Sequence, residues 1–211
     1  MKISNLRFEI VVFIEPCALR PVPRVIFIFS LEPCALRLLL HIFKEKLPVW
    51  DDKKHIIIED PPLNIALYQP EIPANTGNIA RLCGAAGLRL HLIHPLGFKT
   101  DDRHLKRAGL DYWHEIDVRH HESFDSFLCS EEGLASQIIA FSSHASQDYT
   151  KATVKRGDYL LFGKESVGLP PDIKGRFSFY KIPILGNVRS LNLSTAVGIV
   201  TYHYLNRMGC F

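Results

Sequence analysis

Short apolar runs alternate with amphipathic segments along the chain from Leu63 onward. The apolar runs predict short strands at Leu63–Tyr68, Leu88–Ile93, Ile138–Ser142, Tyr159–Phe162 and Lys181–Ile184. Helical spacing predicts one helix after a turn at Pro73–Asn78 and another at Ser194–Asn206. Strands that alternate with helices favour an α/β domain with a mainly parallel sheet flanked by helices.

The first predicted helix carries start and stop signals. Asn75 or Thr76 is the predicted N-cap, because its side-chain oxygen could accept a hydrogen bond from a free backbone N–H group. Gly87 is a natural C-terminal stop. Between these ends, apolar residues recur at helical spacing, at Ile79, Leu82, Cys83 and Ala86.

The residues before Leu63 follow a different pattern. Glu15–Arg20 recurs identically at Glu32–Arg37, a repeat far shorter than the ~20 residues of a solenoid unit. Two β-type runs lack a consistent period, at Ile10–Ile14 and Val25–Phe29. We therefore predict an N-terminal extension at residues 1–62 that the core does not need, and a main domain at residues 63–211. A functional extension is the alternative.

Composition narrows the class of protein. The 211 residues are 47% hydrophobic and 22% charged, which excludes a disordered tail, a collagenous chain and a coiled-coil rod. The net charge of +3 permits nucleic-acid binding without arguing for it. The five cysteines lack the paired spacing of a disulfide framework or a zinc site. No apolar run in the sequence approaches the ~20 residues that cross a bilayer, so we expect a soluble cytoplasmic protein.

Three polar motifs follow predicted strands, where parallel sheets bind ligands. The first motif, Asn75–Arg81, opens a helix, and helix N-termini favour anions. Arg81 adds a forked cationic donor. The second motif, Phe162–Pro170, sets two glycines around Glu165, which allows a close backbone approach to a ligand. The alternative for the first motif is a capped helix with a surface arginine. The alternative for the second motif is a plain surface turn.

The third motif, Ile182–Ser194, brings Arg189 and a polar cluster to the start of the last helix. Its polar residues could serve as caps and turn residues alone. Elsewhere the signals are weaker. The histidine pairs lack the spacing of metal ligands, and no Gly-x-Ser-x-Gly sequence supports a hydrolase. The basic residues at 103–107 are most simply interpreted as a solvated helix face.

In this order the three motifs resemble those of the SPOUT (α/β-knot) methyltransferases. The likeness is closest to the TrmL-like branch, which methylates the wobble ribose of tRNA. It spans Leu63 to about Met208 and is carried by four segments, at Leu63–Cys83, Leu90–Phe98, Lys106–Tyr112 and Arg189–Ser194. The resemblance implies a sheet whose C-terminal part threads a deep trefoil knot, and a homodimer that binds the tRNA anticodon stem-loop, with no DNA, membrane or metal partner.

The resemblance also implies a cofactor and a division of labour among residues. S-adenosylmethionine is expected at the knot, at positions matching Phe141, Gly163, Glu165, Gly168, Ile182, Ser190 and Leu191. Arg81 matches the arginine assigned to the substrate hydroxyl, and Asn75, Ser190 and Asn192 complete the expected catalytic set. A guanidinium stays protonated, so we expect Arg81 to orient the 2′-hydroxyl rather than act as a base. A different tRNA or rRNA site, or an inactive knotted RNA-binding protein, are the alternatives.

Overall fold

The computed structural model describes residues 12–17, 20–27, 56–98, 113–130 and 137–211. The chain divides into two compact units, Met1–Val49 and Trp50–Phe211. In the first unit, strands β1 (Val12–Cys17) and β2 (Arg20–Phe27) pair antiparallel. The basic residues predicted at 103–107, and the segment Lys106–Tyr112, lie outside the described residues.

A seven-stranded sheet organises the second unit, and its strand pairings are parallel throughout. The strands are β3 (Asn64–Tyr68), β4 (Arg89–Ile93), β5 (Asp117–His121), β6 (Ile138–Phe141), β7 (Gln147–Asp148), β8 (Tyr159–Phe162) and β9 (Ser178–Lys181). They lie in the order β5-β4-β3-β8-β6-β9-β7. The predicted parallel α/β architecture is confirmed.

Helices cover the sheet and complete the core. Those of the described segments are α1 (Pro73–Ala86), α2 (Phe124–Cys129), α3 (Pro171–Lys174) and α4 (Leu193–Arg207). Successive residues of β3 enter different clusters, since Ile65 packs with residues of α1 and α4 whereas Ala66 packs with α2. The sheet is therefore buried on both faces, as parallel sheets require. Among the described residues, no helix is long and apolar enough to cross a membrane.

The start of α1 differs from the prediction. The helix begins at Pro73, with Ile72 at the N-cap, so Asn75 and Thr76 lie inside the first turn. Proline is well suited to the first helical position, because it needs no partner for an N–H group and its φ is preset. The predicted stop at Gly87 is confirmed, with a φ of 64°.

The last strand also differs from the prediction. It runs over Ser178–Lys181 rather than Lys181–Ile184. Pro183 cannot donate a ladder hydrogen bond, which disfavours a strand in the predicted segment. Phe179 and Tyr180 instead pair with β6. The sequence did not predict this strand because polar residues flank these two, so no apolar run is visible there.

Charged residues at the start of β5 are held in a buried network. Asp117 is 1% exposed and accepts hydrogen bonds from Arg89 Nε at 2.8 Å and from Arg119 Nε at 2.9 Å. It also accepts the backbone N–H of Ile58 at 2.9 Å, and Arg89 donates to the Ile58 carbonyl. A buried carboxylate is tolerated when it is paired and hydrogen-bonded in this way.

The residues just before Leu63 contact the sheet domain. Besides Ile58, Arg156 donates to the Asp60 carboxylate at 3.0 Å and to the Asp60 carbonyl at 3.1 Å. Gly157 donates its N–H to the Pro62 carbonyl at 3.0 Å. Residues 58–62 thus form a strap across the amino ends of strands β4, β5 and β8. The predicted dispensability of residues 1–62 stays a prediction, and these contacts favour a domain that includes the strap.

Two histidine pairs join β4 and β5 near their carboxyl ends. His91 Nδ1 lies 2.9 Å from His121 Nε2, and His94 Nε2 lies 2.9 Å from His120 Nδ1. One ring of each pair must be neutral to accept this hydrogen bond. Burial lowers the pKa of His121 to about 4 and lowers the pKa of His91 as well. In the described residues, no group of three or more His, Cys, Asp or Glu could hold a metal ion.

We expect the folded state to lose stability as the pH falls from about 6.5 toward about 4. In this window the unfolded chain binds a proton at His121 that the folded chain excludes, so stability rises with pH below 6.5 and is independent of this group above it. The loss is about 3 kcal/mol, or ~6–12 °C in Tm. Thermal unfolding at several pH values measures it. His121→Gln, which does not titrate, should flatten the slope, and an unchanged slope would contradict the assignment.

Candidate active site

The three motifs converge at the carboxyl edge of the parallel sheet. The first follows β3 and lies within α1, the second follows β8, and the third lies between β9 and α4. The structure brings the predicted residues Asn75, Glu165 and Asn192 into direct hydrogen-bonding contact. Parallel strands expose their carboxyl ends at one edge, which is why segments 90 or more residues apart in sequence can meet there.

A continuous chain of hydrogen bonds joins the motifs. Asn75 donates through Nδ2 to Glu165 Oε1 at 3.0 Å, and Asn75 Oδ1 accepts from Asn192 Nδ2 at 2.9 Å. Asn192 Oδ1 in turn caps α4, accepting from the Ser194 N–H at 2.9 Å. The amide groups of both asparagines are thus engaged at both ends, and these two side chains link the first motif to the second and third.

The second motif folds back sharply on itself. Gly168 donates its N–H to the Lys164 carbonyl at 2.9 Å, and Lys164 donates to the Gly168 carbonyl at 3.3 Å. A Cβ atom at Gly163 would lie 2.3 Å from the Gly168 carbonyl carbon and 2.4 Å from the Leu169 nitrogen. Only glycine therefore fits at position 163. Gly168, whose φ is 72°, adopts the left-handed conformation that glycine tolerates best.

Arg81 lies on the exposed side of α1, in the same helix as the buried Asn75. Its neighbours on that side, Ala74, Asn78 and Ala85, are also exposed, and two of them are small. Among such small neighbours, an arginine side chain can reach an oxygen or phosphate of an external ligand through its forked N–H donors. Because Arg81 is exposed, it is placed to contact a large anionic substrate at the protein surface rather than a small ligand inside a pocket.

A cavity of about 360 Å³ lies beside the third motif. It is lined by Ser143, Asp148, Lys181, Ile182, Pro183, Ile184, Val188 and Arg189. Its apolar and charged walls fit a small ligand that combines a flat apolar part with charged groups, and its volume falls within the ~300–1,000 Å³ of ligand pockets. These residues, with the neighbouring predicted positions, thus fit S-adenosylmethionine as a ligand.

Of the predicted cofactor positions, Ile182 lines this cavity. Phe141 ends β6 and stacks on Phe162, with ring centroids 4.9 Å apart. Leu191 is half-buried and Ser190 is exposed in the third motif. Sequence reasoning missed Ser143 and Asp148 as cavity residues, because each lies in a short segment with no periodic signal. It placed Lys181 in a strand without giving it a role in the site. It also missed Glu71, which accepts the Ser166 N–H at 3.1 Å. Hydrogen bonds from the side chain and then the backbone of Ser166 lower the pKa of Glu71.

Comparison with known proteins agrees with the geometry. A family model described as the SpoU rRNA Methylase family matches residues 62–202. A Yersinia pestis relative named tRNA (cytidine(34)-2′-O)-methyltransferase is 43% identical over 153 residues, which cover 70% of this chain and 94% of the relative. An Escherichia coli K12 protein of the same name is 42% identical over 150 residues, covering 70% and 94%.

Solved structures share this fold. One that concerns the 2-OH methylation of C/U34 on tRNA is 50% identical, with a TM-score of 0.65, and the match covers 70% of this chain and 97% of that chain. An AdoMet-bound rRNA methyltransferase from Sinorhizobium meliloti is 25% identical, with a TM-score of 0.64 over 72% and 59% of the two chains. The matched family, the relatives and the convergent motifs agree, and the chain belongs to the SpoU rRNA methylase family.

Proposed function

We propose that this protein is an S-adenosylmethionine-dependent enzyme that methylates the ribose 2′-oxygen of the wobble nucleotide, position 34, of tRNA. The observation that carries the proposal is the hydrogen-bonded junction of Asn75, Glu165 and Asn192, which joins the cofactor motifs to the helix bearing Arg81. The names of relatives 42–43% identical over most of their length support the same substrate.

Arg81 has the central role in the proposed mechanism. Its fork of N–H donors orients the ribose 2′-hydroxyl and the adjacent phosphate, and it stabilises the negative charge that develops on the oxygen as the proton leaves. S-adenosylmethionine, when bound, supplies an electrophilic methyl group. Because Arg81 stays protonated, proton removal falls to another acceptor, such as solvent or a substrate phosphate.

The proposed cofactor site combines the second and third motifs. The residues that would hold S-adenosylmethionine are Phe141, Gly163, Gly168, Ile182, Ser190 and Leu191. Gly163 and Gly168 let the backbone fold tightly enough to present its polar groups, whereas Ile182 borders the cavity. We further propose that the chain from β8 to α4 forms the deep trefoil knot, which would hold these segments in fixed relation.

We propose a homodimer that binds the tRNA anticodon stem-loop. The exposed side of α4 carries Ile199, 37% exposed, and Tyr202, 46% exposed, and Phe211 lies against Tyr202 with ring centroids 5.7 Å apart. Exposed apolar side chains grouped on one surface are typical of protein interfaces. Because α4 packs on α1, a partner seated here would lie beside the helix that carries Arg81.

Replacing Ile199 with aspartate should convert the dimer to a monomer, because an unpaired carboxylate would be buried in the interface. Sedimentation velocity at micromolar concentration measures the mass, and Ser126→Asp, an exposed change on α2, which covers the other face of the sheet, is the matched control. A monomeric wild type would contradict the homodimer, and an Ile199→Asp variant that stays dimeric would place the interface elsewhere.

We propose that the catalytic domain includes the strap at residues 58–62 together with residues 63–211, and that the segment before it is not needed for the reaction. The hydrogen bonds of Ile58 and Asp60 to the sheet support this boundary. The proposed site of action is the cytoplasm, where tRNA is found and where the thiols of Cys83 and Cys210 would stay reduced.

The test combines purified full-length protein, labelled S-adenosylmethionine and total tRNA from a strain that lacks this gene. We expect label at the ribose of nucleotide 34 and equal transfer by a chain that starts at Ile56. Transfer to ribosomal RNA instead of tRNA would establish the rival substrate. Cofactor binding by neither chain would favour a knotted RNA-binding protein without catalysis.

A further inference from the structure

Helix α1 lacks an acceptor of its own at its start. Its N-cap residue is Ile72, whose hydrocarbon side chain cannot accept a hydrogen bond, and its first turn, Pro73–Thr76, contains no carboxylate. The N-terminus of a helix carries unsatisfied N–H groups and a partial positive charge. An acceptor from another part of the chain is therefore needed to fix this end of the helix.

Glu165 supplies that acceptor from the second motif. Its Oε2 accepts the Glu71 N–H at 2.8 Å, and its Oε1 accepts the Ile72 N–H at 3.2 Å and Asn75 Nδ2 at 3.0 Å. The contact is reciprocal, because Glu71 accepts the Ser166 N–H at 3.1 Å. Both carboxylate oxygens of Glu165 thus face donors at the start of α1.

We infer that Glu165 is a positioning residue that fixes α1, and with it Arg81, relative to the cofactor motifs. This inference rests on the proposed function of the site. It changes the role expected for Glu165, which was that of a cofactor contact. The carboxylate is directed at α1, so the second motif can hold cofactor through its backbone while its acidic side chain sets the position of the substrate-binding arginine.

The charge of Glu165 is essential to this role. Glutamine has nearly the same shape but presents one carbonyl and one NH₂ group, and each carboxylate oxygen receives an N–H donor. Either orientation of the amide therefore sets a donor against a backbone donor. Glu165→Gln is thus expected to loosen the start of α1 without removing side-chain volume from the second motif.

The experiment compares full-length wild type, Glu165→Gln and Glu115→Gln, which makes the same chemical change at an exposed residue before β5, outside the three motifs. Amide hydrogen exchange is measured at Glu71 and Ile72, S-adenosylmethionine affinity by calorimetry, and kcat and KM with tRNA. For Glu165→Gln we expect faster exchange at both amides, a kcat lowered by roughly 10–100-fold and a cofactor Kd within about threefold of wild type. Glu115→Gln should match wild type in all three.

Two results would overturn the inference. A cofactor Kd weakened more than about tenfold, with kcat at saturating cofactor unchanged, would make Glu165 a cofactor ligand. Unchanged exchange at Glu71 and Ile72 would show that the carboxylate does not hold α1. The exchange readout does not depend on catalysis, so a protein that methylated no RNA at all would refute the proposed function while still testing the role of Glu165.

Discussion

Replacing Arg81 with alanine should lower the rate of methyl transfer by about 10²–10³-fold while leaving the affinity for S-adenosylmethionine nearly unchanged. Arg81 is exposed on α1, whereas the proposed cofactor positions lie in the second and third motifs. The side chain would act on the substrate oxygen, whose negative charge grows only as the methyl group is transferred. Its loss therefore falls mainly on kcat rather than on cofactor binding.

Arg81→Lys separates charge from geometry. Lysine keeps the positive charge but loses the planar fork, so it can contact the hydroxyl or the phosphate but cannot bridge both with the same geometry. We expect transfer far closer to that of Arg81→Ala than to that of wild type. Single-turnover transfer to tRNA, with cofactor binding measured separately, makes the comparison. Near-normal transfer by the lysine variant would eliminate the forked-donor role.

The sequence allowed the motifs to be located because each follows a strong apolar strand. Periodicity identified β3, β4, β6 and β8, and the carboxyl edge of a parallel sheet then brought the motifs together without any knowledge of their contacts. The same reasoning missed β5, whose sequence from Asp117 to His121 is mostly polar. That strand is buried because Arg89 and Arg119 neutralise Asp117 and because its histidines are paired, and such compensation has no periodic signal.

The roles of the site residues were harder to predict than their positions. Asn75 is a residue type that often caps helices, and the sequence predicted it as a candidate N-cap. The helix instead begins at Pro73, and the Asn75 side chain bonds with Glu165. Glu165 lies between two glycines after a strand, which predicted a contact with a ligand. Its carboxylate oxygens instead accept the N–H groups of Glu71 and Ile72 at the start of α1. Both outcomes depend on pairings about 90 residues apart, which local propensity cannot encode.

Gly163→Ala should reduce S-adenosylmethionine affinity by roughly 100-fold or more. The added methyl group would meet backbone atoms of Gly168 and Leu169 at 2.3–2.4 Å, and backbone cannot rotate away as a flexible side chain can. The reciprocal hydrogen bonds between Lys164 and Gly168 must then break or lengthen. Overpacking of this kind costs about 1–3 kcal/mol of stability, so a lower Tm should accompany the loss of binding.

Gly175→Ala provides the matched control for that change. Gly175 follows α3 with a φ of −80°, and a Cβ there would meet nothing within 4 Å, so alanine fits without strain. Calorimetric titration with cofactor and thermal unfolding of both variants separate a local effect from a general one. Equal, small effects of the two substitutions would mean that the second motif can open without cost. Loss of binding by Gly163→Ala alone, in a protein that still unfolds cooperatively, would locate the cofactor at the turn that Gly163 makes possible.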